Sequence, residues 1–315
     1  MLEFSGLSAA PGQRTQGMVV STVAGVEVKH AVFLVNGAKP GPTLVVTAGV
    51  HGAEYASVEA ALQLGQTLAA DTLQGQVIVV PIVNPTAFAA RSIYITPADG
   101  KNLNRQFPGM AKGTYTESLA YWLFNQVIKR ADLYIDLHGG DLVEALAPFV
   151  IHFPTGNPKV DETSVNMARQ FGINYVLQGN TPGSTYAAAS QAGIPSILAE
   201  AGGQGIWTEE DIELLHQGVR RVMANLGMIK PTASWAEPTP IMLDRWAWLR
   251  AETDGLFYPK VAVGDHVTAG QDLGRVADVF GNTIQPLQAP IDGVVLFLVT
   301  SLAMNIGDPL LAIAG

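Results

Sequence analysis

Short runs of apolar, β-branched residues alternate with longer amphipathic stretches between about residues 40 and 228. Apolar residues at helical spacing on one face predict helices, whereas short apolar runs bounded by turn residues predict buried strands. The predicted strands are Thr43–Thr47, Val77–Val83, Leu133–Leu137, Phe149–Phe153 and Ser196–Ala199. The predicted helices are Glu54–Leu68, Glu117–Arg130, Val160–Phe171, Thr185–Ala192 and Glu209–Leu226. Strands separated by helices predict an α/β fold with a mixed, mostly parallel sheet and flanking helices.

The pattern changes after a proline-rich segment, residues 230–240. From residue 241 to residue 315, short apolar runs alternate with glycine turns, which predicts an all-β C-terminal domain. This part resembles the barrel-sandwich fold of lipoyl and biotinyl carrier domains, which modify a lysine at a hairpin tip. The corresponding tip here, Val279-Phe-Gly-Asn282, contains no lysine, so we do not expect a carrier function. We therefore predict a larger domain over residues 1–229, a linker over 230–240 and an all-β domain over 241–315.

Composition narrows the classes of function. Of the 315 residues 48% are hydrophobic and 14% charged, which excludes a disordered protein. The chain has no cysteine, so a metal ion would have to be held by histidine and carboxylate side chains. A net charge of −9 without a basic cluster argues against nucleic-acid binding. The absence of a signal-peptide pattern and of long apolar runs predicts a cytoplasmic protein without a membrane partner.

The first chemical motif is His51-Gly-Ala-Glu54, which follows a predicted strand and opens a predicted helix. Ligands bind at this end of the strands in α/β sheets, and a histidine and a glutamate three residues apart can point at one zinc ion. Alternatively, the glutamate only suits the positive end of a helix dipole.

Two further motifs end apolar strands. In Asp136-Leu-His138-Gly-Gly140 the two polar residues share one face of an extended chain, so His138 can be a third zinc ligand with Asp136 behind it. The same pair can instead be a closed, purely structural hydrogen bond. Glu200, in Leu198-Ala-Glu200-Ala-Gly-Gly203, is a charged residue that closes a buried strand, which favours a functional or ion-paired role. Beside a zinc-activated water it would act as the general base.

The loop Asp99-Gly-Lys-Asn-Leu-Asn-Arg-Gln-Phe-Pro-Gly109 is rich in hydrogen-bond donors. Asn102, Asn104 and Arg105 suit the recognition of a carboxylate or an oxyanion. A structural arginine in an Asn/Gly-rich loop is the alternative.

Taken in order, these motifs resemble the succinylglutamate desuccinylase/aspartoacylase family, a branch of the zinc carboxypeptidase (M14-like) fold. The resemblance runs from about residue 41 to residue 205. It implies that His51, Glu54 and His138 bind one Zn²⁺ per chain and that Glu200 is the catalytic base. It also implies that Asn104 and Arg105 bind the substrate carboxylate.

Two assignments rest on weaker correspondences. The family usually has another arginine, which polarises the scissile carbonyl, between the Asn-Pro turn and the Asn-Arg pair. Arg91 is the only arginine in that interval and is therefore predicted to be catalytic. Tyr186 is a candidate for binding the far end of the substrate, with a core aromatic residue as the alternative.

The resemblance implies a zinc-dependent amidohydrolase that releases an amino acid from a small N-acyl amino acid by attack of a zinc-activated water. A metallocarboxypeptidase acting on short peptides uses the same chemistry and stays open, as does a catalytically inactive binding protein. A closed homo-oligomer is the default expectation for the assembly.

Overall fold

The structure is a computed structural model that describes residues 1–231 and 235–315. Eleven strands precede the linker within these ranges: β1 (Leu2–Phe4), β2 (Leu7–Ala9), β3 (Gln13–Val23), β4 (Val26–Asn36), β5 (Lys39–Ala48), β6 (Gln74–Val80), β7 (Leu133–His138), β8 (Glu144–Leu146), β9 (Phe149–His152), β10 (Tyr175–Gln178) and β11 (Ser196–Glu200). The α-helices of the same region are α1 (Tyr55–Thr67), α2 (Pro85–Ala90), α3 (Tyr115–Trp122), α4 (Pro158–Gln170), α5 (Thr185–Gln191) and α6 (Glu209–Asn225). The strands that follow the linker are β12 (Ile241–Leu243), β13 (Trp246–Arg250), β14 (Gly255–Pro259), β15 (His266–Val267), β16 (Asp272–Ala277), β17 (Thr283–Gln288), β18 (Gly293–Val299), β19 (Ala303–Met304) and β20 (Pro309–Ala314).

A nine-stranded sheet forms the centre of the larger domain, in the order β12-β10-β9-β11-β7-β5-β6-β4-β3. The neighbours from β11 through β7 and β5 to β6 run parallel, whereas β9 against β11, β4 against β6 and β3 against β4 run antiparallel. Helices α1, α4 and α6 cover one face, and α3 and α5 cover the other. The predicted mixed, mostly parallel α/β sheet is therefore confirmed.

Burial on both faces explains why the central strands could be predicted from the sequence. In β5, Leu44 and Val46 pack into the core under α1, while Val45 packs into the core on the opposite face. Such strands are continuously apolar, as expected for a covered parallel sheet. Strands β3 and β4 lie at the antiparallel edge and were not predicted. β3 alternates exposed and buried residues and so lacks this pattern, whereas β4 contains the buried apolar run Val32–Val35, which the sequence analysis did not assign to a strand.

Two predicted elements differ in extent from the observed ones. The strand predicted over Val77–Val83 ends at Val80, because Pro81 has no backbone N–H for the ladder. The helix predicted over Glu117–Arg130 begins earlier, at Tyr115, where Thr114 and Glu117 form a capping box. It then continues as a single π-helical turn, Leu123–Val127, and a short 3₁₀ helix.

The C-terminal domain consists of antiparallel strands in two sheets, β13-β20-β18-β15 and β17-β16-β14-β19, around a common apolar core. This agrees with the all-β, barrel-sandwich-like prediction. The hairpin tip Val279–Asn282 carries Phe280, which is 88% exposed to solvent.

Two strands link the domains by pairing across the predicted boundary. β8 belongs to the larger domain in sequence but pairs with β18, with Glu144 opposite Val299. β12 follows the linker but extends the nine-stranded sheet in parallel to β10. The division at residues 229 and 241 stays a prediction, and residues 232–234 of the predicted linker lie outside the described residues. Within the described ranges we find no helix with the length and apolar character that a membrane crossing requires.

Candidate metal centre and active site

Three adjacent parallel strands bring the predicted chemistry to one edge of the sheet. His51 lies just beyond the end of β5, His138 is the last residue of β7, and Glu200 is the last residue of β11. The register places Glu200 directly beside His138. Because the carboxyl ends of parallel strands meet at one edge, residues far apart in the chain converge there. Glu54 completes the group as the residue immediately before α1.

His51, Glu54 and His138 form a compact cluster whose ligand atoms all lie within 4.8 Å of one another. His51 Nδ1 lies 2.6 Å from Glu54 Oε1, and His138 Nδ1 lies 2.9 Å from Glu54 Oε2. Glu54 and His138 are almost completely buried. Burial opposes ionisation of Glu54, but the neighbouring His138 and His51 outweigh it and lower the pKa of Glu54 to about 2. The carboxylate is therefore charged and available as a ligand.

The outer nitrogen of each histidine is oriented by a hydrogen bond. His138 Nε2 lies 2.9 Å from Asp136 Oδ2, and His51 Nε2 lies 3.1 Å from Asn102 Oδ1. Because both oxygens accept, each Nε2 carries a proton, and each Nδ1 faces the Glu54 carboxylate. Burial lowers the pKa of His51 and His138, but Glu54 outweighs it and raises both, so each Nδ1 also shares a proton with the carboxylate. A metal ion would replace these protons and take up the two Nδ1 lone pairs. Glu54 Oε2 is buried and accepts no aligned hydrogen bond from the described residues. Two imidazole lone pairs around a carboxylate fit a divalent metal ion such as zinc.

Hydrogen bonds from two threonine hydroxyl groups fix the Asp136 carboxylate in place. It is fully buried, and its Oδ1 accepts a hydrogen bond of 2.6 Å from Thr47 Oγ1, while its Oδ2 accepts one from Thr185 Oγ1. The Tyr134 hydroxyl lies 2.6 Å from Thr47 Oγ1 and extends this network into the core. The orientation of His138 is therefore fixed by a network that crosses β5, β7 and α5.

Glu200 lines the same cavity as the cluster, but its pKa is shifted in the opposite direction to that of Glu54. Burial raises the pKa of Glu200 well above its usual value, although the nearby His138 opposes that rise. Its Oε2 has no hydrogen-bond partner among the described residues. A carboxyl group with a raised pKa and a free oxygen is suited to accept a proton and pass it on.

Asn104 and Arg105 lie in a short 3₁₀ helix, Leu103–Arg105, at the cavity wall. Asn104 is buried, and its Oδ1 accepts a hydrogen bond of 2.9 Å from the Thr185 backbone N–H. Arg105 Nη1 donates to the Asn104 carbonyl oxygen over 2.7 Å. Within residues 1–231 and 235–315, no carboxylate oxygen lies within 4 Å of the Arg105 guanidinium, so its other donors are available to a ligand.

The structure places Tyr186 in the cavity wall and Arg91 outside it. Tyr186 lies in α5, is buried and lines the cavity, with its ring 6.4 Å from that of Phe153. Arg91 is exposed and lies outside the cavity wall, where it ends α2 in a left-handed conformation at φ 53°. The structure therefore does not bring Arg91 to the metal cluster. From the same interval, Tyr94 lines the cavity instead.

Sequence analysis missed two acidic residues beside the cluster, Asp141 and Glu144. Asp141 Oδ2 accepts the Tyr94 backbone N–H at 2.8 Å, and Glu144 Oε2 accepts the Asp141 backbone N–H at 2.9 Å. Burial raises the pKa of Asp141 to about 8 and that of Glu144 to about 7, and Glu54 adds to both. The Gly-Gly-Asp sequence after His138 was the local indication that could have identified Asp141.

The C-terminal domain closes the cavity with residues that were also missed. The cavity has a volume of about 390 Å³, and the C-terminal residues in its wall are Trp246, Trp248, Arg250, Phe297, Gly307, Asp308 and Pro309. Trp246, Trp248 and Arg250 alternate along β13, a period-two pattern visible in the sequence. Their place in the cavity wall depends on the packing of two domains, which the pattern does not indicate.

Comparisons with known proteins agree with this geometry. The model of the succinylglutamate desuccinylase/aspartoacylase catalytic domain matches residues 40–226. The chain is 30% identical over 283 residues to the N-alpha-acetyl-L-2,4-diaminobutyric acid deacetylase of Halomonas elongata, covering 87% of this chain and 82% of that one. It is 27% identical over 174 residues to a succinylglutamate desuccinylase of Pseudomonas aeruginosa, covering 51% of each.

Solved structures show the same fold. The product-bound ectoine utilization protein EutE (DoeB) from Ruegeria pomeroyi superposes with a TM-score of 0.87 at 24% identity, covering 98% of this chain and 97% of that one. A succinylglutamate desuccinylase/aspartoacylase from Rhodobacter sphaeroides gives a TM-score of 0.86 at 24% identity, covering 99% of both chains. The similarity therefore includes the C-terminal domain as well as the larger one.

Proposed function

Because this chain belongs to the succinylglutamate desuccinylase/aspartoacylase family, we propose that it is a zinc-dependent hydrolase that cleaves the amide bond of an N-acyl amino acid. The observation that carries the proposal is the cluster of His51, Glu54 and His138 beside Glu200, in a cavity at the carboxyl edge of the sheet. The relatives named as a deacetylase and a desuccinylase support an acylated amino acid as the substrate class.

His51 Nδ1, His138 Nδ1 and the Glu54 carboxylate would hold the zinc ion. When bound, zinc supplies a Lewis acid that polarises the amide carbonyl and makes water more acidic. Asp136 and Asn102 keep the two imidazoles in the tautomer that can bind a metal. Three protein ligands leave a coordination position open, as hydrolysis requires.

Glu200 would be the general base and then the general acid. Its free Oε2 accepts the proton of the attacking water and later donates it to the leaving nitrogen. The raised pKa of Glu200 favours the first step, because a more basic carboxylate is a stronger acceptor of the water proton; Glu200 then passes that proton to the nitrogen as the amide bond breaks. The acidic neighbours Glu54 and Glu144 help to keep that pKa high.

Arg105 would bind the carboxylate of the amino acid through the donors that it does not share with the chain. Asn104 Oδ1 is occupied by Thr185, so Asn104 contributes its Nδ2 group and holds the arginine in place through its backbone carbonyl. Tyr186 contributes a buried ring to the wall. The C-terminal wall, which includes Trp248 and Arg250, favours small substrates over the peptides of a carboxypeptidase.

The test is amine release from a panel of N-acyl amino acids and short peptides by the zinc-loaded protein and by Glu200→Gln. We expect Glu200→Gln to retain zinc, measured by mass spectrometry, and to lose about 10²–10⁴-fold in turnover. Glu162→Gln, an exposed glutamate on α4, is the matched control and should behave as the unaltered protein. Undiminished turnover in Glu200→Gln would refute its role as base. Absence of both zinc and turnover in the unaltered protein would instead support an inactive binding protein.

A further inference from the structure

Part of the cavity wall is aromatic, and the C-terminal domain supplies most of this part. Trp246 and Trp248 come from β13, and Phe297 comes from β18, which is separated from β13 by β20 in the same sheet. Phe149, at the start of β9, continues this wall from the larger domain. We refer to Trp246, Trp248 and Phe297, together with Phe149, as the aromatic wall.

The four rings are in direct contact. The Trp246 and Trp248 rings stack with centroids 5.6 Å apart and planes 15° from parallel. Phe297 lies 5.0 Å from Trp248 in a tilted arrangement, and Phe149 meets Trp246 edge-to-face at 5.6 Å. These separations are typical of favourable aromatic pairs, so each ring holds its neighbour in place. The wall is therefore a preformed apolar surface.

Core packing explains three members of the wall but not Trp248. Phe149 and Phe297 are buried, and Trp246 packs against the apolar core of the C-terminal domain. Trp248 lines the cavity and is 46% exposed overall. A tryptophan offers 150–250 Å² of surface, and a large apolar side chain exposed in a pocket indicates a ligand contact.

Charge is distributed unevenly around this wall. Asp141 and Glu144 are on the metal side of the cavity, where Glu54 and His51 influence their protonation. The C-terminal domain contributes Arg250 and Asp308 as charged residues of the cavity wall, and the Arg250 guanidinium lies 5.8 Å from the Trp248 ring and donates to the Gly307 carbonyl oxygen. With Trp246 stacked on it and Arg250 and Phe297 beside it, Trp248 offers a ligand the part of its ring that remains exposed.

We propose that the aromatic wall is a specificity subsite that binds an apolar, preferably aromatic, group of the N-acyl amino acid. The group is either the amino-acid side chain or the acyl chain, since both adjoin the amide bond. This inference rests on the proposed function for the identity of the ligand. It assigns to the C-terminal domain the selection of substrates by apolar contact, while the larger domain supplies the metal ligands and the base.

The test measures binding rather than turnover, on zinc-loaded Glu200→Gln, so that no probe is hydrolysed. The probes are N-acetylglycine, N-acetylphenylalanine, which has an apolar side chain, and N-benzoylglycine, which has an apolar acyl group. Calorimetric titration should give a dissociation constant at least about 10-fold lower for one of the two apolar probes than for N-acetylglycine. Whichever apolar probe binds more tightly identifies the source of the group.

Removing the exposed ring completes the test. Trp248→Ala in the same background should raise the dissociation constant of the favoured probe to that of N-acetylglycine. Trp207→Ala, at an exposed tryptophan outside the cavity wall, is the matched control and should retain the preference. If Trp248→Ala does not fold, Trp248→Thr removes the ring and keeps a residue suited to a strand.

The outcomes separate this inference from the proposed function. Equal affinity for all three probes, or a preference that survives Trp248→Ala, would overturn the aromatic subsite. Hydrolysis of N-acetylglycine by the unaltered enzyme alongside that result would leave the proposed function standing. A preference for an apolar probe that depends on Trp248 would support the subsite even if the unaltered enzyme hydrolysed none of the three.

Discussion

Asp136→Asn should weaken zinc binding although Asp136 is not itself a proposed ligand. The carboxylate is fully buried and accepts the Nε2 proton of His138 at 2.9 Å, with hydroxyls from Thr47 and Thr185 on its other lone pairs. An asparagine at this site has one carbonyl oxygen for three donors. If its amide group turns to His138, the imidazole proton moves to Nδ1, the atom that faces the metal.

The expected loss of zinc affinity follows from the strength of the hydrogen bond between His138 and Asp136. A hydrogen bond to a charged group contributes about 1.5–3 kcal/mol, and loss of a histidine-orienting partner typically reduces metal affinity by about 10–100-fold. That range equals about 1.4–2.8 kcal/mol of binding free energy. We therefore expect the zinc dissociation constant to rise by one to two orders of magnitude, while the site retains its three ligands.

The assay is competition for zinc against a chromophoric chelator, with circular dichroism to establish that each protein is folded. Asp132→Asn is the matched control, because Asp132 is exposed just before the same strand and accepts only the Thr43 backbone N–H at 2.8 Å. A folded Asp136→Asn protein whose zinc affinity lies within about twofold of the unaltered one would refute the reasoning.

Two further predictions concern the scaffold. Burial lowers the pKa of His30 from 6.5 to about 4, so between these pH values the unfolded chain binds more protons than the folded one. The free energy of unfolding should therefore fall by about 3 kcal/mol on account of His30 between pH 7 and pH 4. Urea titrations should show that His30→Gln lacks this part of the pH dependence, and an equal dependence of stability on pH in both proteins would contradict the prediction. A Cβ added at Gly52 would lie 2.1 Å from the Ala87 backbone carbon. Gly52→Ala should therefore lower the free energy of unfolding by about 1–3 kcal/mol. An unchanged denaturant midpoint would contradict this and show that the loop can move to accept the methyl group.

The convergence of the cluster and Glu200 could be predicted from sequence because strongly apolar strands precede these residues in the chain. His51, His138 and Glu200 each end or follow a strand that is buried on both sides, and a parallel sheet brings such ends together. The fold was predictable for the same reason. The alternating, half-exposed strand β3 gave no comparable signal.

The remaining cavity residues could not be predicted because their positions depend on interactions between distant segments. Trp248 reaches the cavity only because the C-terminal domain packs over the sheet edge. Arg91 follows the Asn-Pro turn at a plausible distance, yet α2 ends at it in a left-handed conformation and leaves it in solvent. A count of residues between motifs does not determine which side chain of a loop faces inward.

The crossed pairing of β8 and β12 affects how this chain can be divided or recombined. Truncation after residue 240 would take β12 from β10 and β18 from β8, which would expose two strand edges prone to aggregation. A C-terminal domain grafted from a relative would have to match both partner strands as well as the linker. We therefore expect the two domains to be inherited together, so that changes in substrate preference arise by point substitution within the C-terminal domain rather than by its exchange.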